Sequence, residues 1–83
     1  MNAAEQLIEQ GRAQGRAAGL EQGEAKGLRA AITHVLAARS LALSELGRAR
    51  LTSCADVAVL TAWVEHAATA VSEAEVFVGA DGV

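Results

Sequence analysis

Proline and tyrosine are absent from this chain, and Trp63 and Phe77 are its only aromatic residues. Without proline, no helix need be broken from within, and with so few aromatics a sheet has little to pack with. The single cysteine, Cys54, excludes an internal disulfide. Together with His34 and His66 it still falls short of the four closely spaced ligands that structural zinc requires, so no metal or cofactor is expected. No stretch of about 20 apolar residues is present to span a bilayer. The start, Met1-Asn2-Ala3-Ala4-Glu5, has neither the basic region nor the apolar run of a signal peptide. A cytoplasmic protein with a free thiol is the expectation. The net charge of −3 provides no basic face of the kind nucleic-acid binders carry.

What the chain does have is Ala, Leu, Glu, Arg and Gln in abundance, a composition that favours helix throughout. A chain of 83 residues buries only about 60% of the surface its unfolded form exposes. Folds this small are held by disulfides, by a metal or by association, and here the first two are excluded. The expected class is therefore all-α and oligomeric. A dimer is the expected state, because closed two-fold assemblies are the commonest.

From Asn2 to about Arg39 nothing interrupts a helical reading, and Asn2 can cap the start. Leu28, Ile32, Val35 and Leu36 have the spacing of one buried helix face, and the pattern breaks at Arg39-Ser40. Such a helix is roughly 55 Å long, more than so small a globule can cover. The expected organisation is residues 1–39 as a long oligomerisation helix and residues 40–83 as a module of short helices.

The long helix carries the one internal repeat: Gly11, Gly15, Gly19, Gly23 and Gly27, continued in the same row by Ala3, Leu7, Ala31 and Val35. Each glycine costs about 0.8 to 1 kcal/mol against alanine inside a helix, so five cost on the order of 4 to 5 kcal/mol. A domain has only about 5 to 15 kcal/mol of net stability, so something must offset the loss. Glycine lets two helix backbones approach closely, which makes Leu7, Gly11, Gly15, Gly19, Gly23 and Gly27 the candidate interface. A four-residue step advances about 400°, so the row drifts by about 40° each time and winds around the helix. A flexible linker over residues 10–27 is the alternative. Regular spacing argues against it, and the near absence of apolar residues between Ile8 and Leu28 argues against an ordinary coiled coil.

In the C-terminal segment Ser44 can cap a short helix carrying Leu46, Ala49 and Leu51. Ser53 with Asp56 reads as a capping box for a second helix. That helix presents Val57, Leu60, Val64, Ala67 and Val71 on one face, with Trp63 beside it and Asp56, Thr61, Glu65 and Thr69 opposite. Ser72 and Glu75 open a last turn that brings in Val76 and Phe77, and Gly79 to Val83 are expected to fray. The expected core is Leu28, Ile32, Val35, Leu36, Leu60, Trp63, Val64 and Phe77.

No catalytic constellation emerges, and no enzyme is expected. Glu24-Ala25-Lys26 matches half of a PD-(D/E)XK nuclease motif, but no preceding acidic residue or strand is present to aim carboxylates at Mg²⁺. His34 and His66 read as packing or surface residues, Cys54 as a structural thiol before a helix, and Trp63 as a core anchor. The glycines follow no strand and precede no Lys-Ser or Lys-Thr, so they form no phosphate loop.

The run Ala4-Glu5-Gln6-Leu7-Ile8-Glu9-Gln10-Gly11-Arg12, the glycine repeat, Thr52-Ser53-Cys54-Ala55-Asp56, Leu60-Thr61-Ala62-Trp63 and Val76-Phe77 resemble the C-terminal tail of Rpn-type PD-(D/E)XK nucleases. These are the transposase-like recombination-promoting proteins of bacteria. The resemblance covers nearly the whole chain, without the nuclease domain that precedes such a tail. It implies an excised tail or a short product of an internal start, and some such short forms counter the full-length nuclease. Three functional classes follow: a homo-oligomerisation module, an antitoxin-like regulator of a longer nuclease, and a helical nucleic-acid-binding domain. The last would need residues 44–68 to act as a helix-turn-helix, and they lack a basic recognition helix.

Overall fold

A computed structural model describes residues 2–78. Among these residues four helices follow one another: α1 (Ala3–Ala38), α2 (Glu45–Ser53), α3 (Val57–Thr69) and α4 (Glu73–Val76). The expected order of a long helix and then short ones is thus present, and the short helices pack on the C-terminal part of the long one.

Both ends of α1 are built by local chemistry. Asn2 forms a complete capping box: its Oδ1 accepts the Glu5 N–H at 2.9 Å, and the Glu5 carboxylate accepts the Asn2 N–H at 3.3 Å. At the far end the Leu41 N–H donates to the Leu36 carbonyl at 2.8 Å and the Ser40 N–H to the Ala37 carbonyl at 3.0 Å. This is a Schellman closure, and its left-handed position is taken by Ser40 at φ 58°, where glycine is usual.

Ser44 caps α2, its Oγ accepting the Gly47 N–H at 3.1 Å. Ser44 also donates from its N–H and Oγ–H to the Glu73 carboxylate, at 3.1 and 2.7 Å, which ties the start of α2 to α4. Gly47 is buried beneath this link, and a Cβ there would overlap the Glu73 carboxylate and lie 3.4 Å from Phe77.

The structure refines several of these readings. Ser53 does not open α3; it ends α2 and donates to the Arg50 carbonyl, while Asp56 itself caps α3 by accepting the Ala58 and Val59 N–H groups at 2.9 and 3.3 Å. Val71 is 77% exposed, because α3 ends at Thr69 and the chain turns extended at Ala70. Leu46 and Ala49 face solvent, leaving Leu51 as the core residue of α2. Ser72 takes the N-cap position of α4 without a side-chain bond; Glu75 reaches back to the Val71 N–H at 2.7 Å instead. The fraying expected for Gly79 to Val83 lies outside the described residues.

The core joins α1 to the short helices. Ile32 and Leu36 of α1 are buried with Leu51, Leu60, Trp63, Ala67, Ala70, Val76 and Phe77, and Ala25 begins the buried stretch. Leu28, Val35 and Val64, expected in the core, are half-buried against it. Trp63 and Phe77 meet edge to face, centroids 4.8 Å apart at 89°, a favoured aromatic geometry. Two arginines of the long helix and its end fasten helix termini that lack partners of their own. Arg29 donates to the Cys54 carbonyl after α2 at 2.7 Å, and Arg39 donates to the Ala67 and Ala70 carbonyls at the end of α3.

The remainder of α1 projects. The chain measures 58 × 28 × 20 Å with a radius of gyration of 17.1 Å, against about 12 Å for a compact chain of this length.

Candidate interaction surface

Every residue from Asn2 to Glu24 is exposed. A Cβ built at Gly11, Gly15, Gly19, Gly23 or Gly27 finds no heavy atom within 4 Å beyond the local helix backbone, so among the described residues no other element packs on the glycine row. Leu7, Ile8 and Leu20 are 68%, 56% and 70% exposed.

The drift of the row separates its members. Taking 100° per residue, Gly15, Gly19 and Gly23 fall within about 40° of one another's midline. Gly27 lies about 80° round, Ala31 and Val35 follow it further, and these last two are half-buried where the row enters the contact with the short helices. Leu7 lies about 120° from Gly19 on the same reckoning, and Ile8, about 20° away, takes its place. The straight face centred on Gly19 comprises Glu5, Ile8, Arg12, Gly15, Gly19, Gly23, Lys26, Ala30, Thr33 and Ala37, and all of them are exposed. Sequence spacing alone had marked the period-four row; the period-3.6 face, with Ala30, Thr33 and Ala37, becomes visible once Ala25, Ile32 and Leu36 are seen buried on the other side.

This face leads into a groove. Thr33 and Ala37 form one wall of an open cavity of about 550 Å³, which Leu36, Leu41, Leu43 and Leu51 line and Arg48 borders. The groove exists because the Schellman turn swings Leu41 back over Leu36 before α2 begins.

The other sequence candidates are placed apart. Glu24 and Lys26 are exposed on either side of buried Ala25, and His34 is exposed. His66 Nδ1 lies 3.1 Å from the Val76 carbonyl, and Cys54 Sγ lies 3.9 Å from the Asp56 carbonyl. Among the described residues no three His, Cys, Asp or Glu side chains are grouped to hold a metal ion, and no helix is long and apolar enough to cross a membrane. No family model, curated protein or solved structure matches the chain.

Proposed function

We propose that this chain is a non-catalytic self-association module, in which the exposed face of α1 packs against α1 of another copy. One observation carries the reading: among the described residues nothing else holds the glycine-bearing length of α1. Isolated helices are marginal in water even when rich in alanine. Gly11, Gly15, Gly19 and Gly23 remove about 3 to 4 kcal/mol more. A covering helix offsets that loss by close backbone packing at Gly15, Gly19 and Gly23, and it removes Ile8 from water.

The resemblance to the Rpn-type tail adds a second partner of the same chemistry. An interface that pairs identical helices does not discriminate between a short copy and the same helix within a longer nuclease. The module would then act as an antitoxin-like partner by taking the place of one tail in the nuclease assembly. A nucleic-acid role has less support, since α3 contains no lysine or arginine.

Light scattering coupled to size exclusion tests the main reading. At micromolar concentration a mass of at least twice 8.5 kDa is expected. A monomer that stays fully helical on dilution would refute it. Co-purification with a full-length Rpn-like nuclease tests the second partner separately.

A further inference from the structure

The groove at the end of α1 is distinct from the exposed helix face and shares only Thr33 and Ala37 with it. Leu36, Leu41, Leu43 and Leu51 give it apolar walls, and its volume of about 550 Å³ is that of a small-molecule site. The neighbouring cations are engaged elsewhere: Arg29 and Arg39 hold carbonyls, and the Arg50 guanidinium lies 5.6 Å from the centre of the Phe77 ring. Arg48 differs, being exposed at the groove's rim with no side-chain hydrogen bond or ion pair among the described residues. No other charged residue lines the groove; Glu45, one turn earlier on α2, is not part of the lining.

From this lining we propose that the groove binds a free medium-chain aliphatic carboxylate, its chain laid over the leucines and its carboxylate at Arg48. Charge complementarity selects the ligand class. A neutral hydrocarbon would leave the guanidinium without a partner, an amine would be repelled by it, and a polyanion would meet only a single cation. The guanidinium fork matches the two oxygens of a carboxylate. The Ser40 and Thr52 hydroxyls, which make no hydrogen bond among the described residues, add donors along the same lining. Each methylene that leaves water for the apolar walls adds a similar increment, so affinity grows with chain length. The site does not depend on self-association, because every residue it uses belongs to one copy.

Titration calorimetry and methyl NMR on the full 83-residue chain test this with hexanoate, octanoate and decanoate. Saturable binding is expected, tightening about fourfold for each added methylene, with shifts at the Leu41 and Leu43 methyls. Arg48→Gln should weaken octanoate about two- to fivefold, the scale of an exposed charge pair, and leave octanol unchanged. Ala42→Trp changes an exposed lining residue outside α1 and should remove binding of both ligands by filling the groove. No saturation by decanoate below its micelle concentration overturns the proposal, as does an equal loss of octanoate and octanol in Arg48→Gln. Shifts of the same leucine methyls on concentrating the protein alone would give the groove to a second copy and overturn it as well. The assembly mass, measured on the same samples, tests self-association separately from either result.

Discussion

Replacing Gly15, Gly19 and Gly23 together by alanine separates a lone helix from a paired one by sign. In a single chain each new methyl enters open space. Nothing then opposes the gain in helix propensity, about 0.8 to 1 kcal/mol at each position and about 2.5 to 3 kcal/mol for three. The far-ultraviolet circular dichroism of dilute protein should deepen, with the projecting half fraying less. In a pair, the same three methyls stand where backbones approach each other. Axes held close by glycine must separate toward the usual 8 to 10 Å, losing packing along the stripe. Association should weaken at least tenfold, about 1.4 kcal/mol, while helicity of the dissociated chain rises. Sedimentation equilibrium gives the first quantity and dichroism on a dilution series gives the second. A triple variant that is more helical and assembles as tightly as the parent would show that the glycines are not the contact, and would refute the reasoning.

Gly47→Ala should behave oppositely although it too lies in a helix, because the added Cβ displaces the Glu73 carboxylate from Ser44. Loss of two exposed charge-assisted hydrogen bonds, less the helix gain, leaves a destabilisation of about 1 to 2 kcal/mol. Urea unfolding of a double-mutant cycle checks the cause: in a Glu73→Ala background the penalty should largely vanish, and a penalty of undiminished size would place its origin elsewhere. Ser40→Gly should raise stability by about 0.5 to 1 kcal/mol by relieving the left-handed backbone at φ 58°; a lowered urea midpoint would contradict this.

The parts of the fold that were legible in advance are those set by neighbouring residues. Asn2 and Ser44 cap the helices they precede because each needs only an N–H three residues ahead. The Arg39-Ser40 break marked the end of α1 because a Schellman closure is likewise local. The misplacements share a different origin. Whether Asp56 is a cap or the third residue of a helix depends on where α2 stops, and the carbonyl of Cys54 that ends it is held by Arg29, 25 residues away. Val71 continues an apolar period that no glycine or proline interrupts; α3 stops before it, with the terminal carbonyls of Ala67 and Ala70 taken by Arg39 across the core. Leu46 illustrates the same limit at the surface, for an apolar residue in a nine-residue helix has no strong period to betray its side.

The candidate surface was legible only as a rhythm. Glycine every fourth residue would let a backbone be approached, yet four is not the period of the helix, and over α1 the row turns from open face to covered side between Gly27 and Val35. The packing of Ala25, Ile32 and Leu36 supplies the missing reference direction, since it fixes which side of the second half of α1 is left open. On the proposed reading, a partner on that side would follow a straight stripe for about 50 Å and come close at Gly15, Gly19 and Gly23. A loop cannot keep such spacing, and a bulky coiled-coil helix cannot come near enough. A helix with small residues at the same interval could do both, and α1 of a second copy has them.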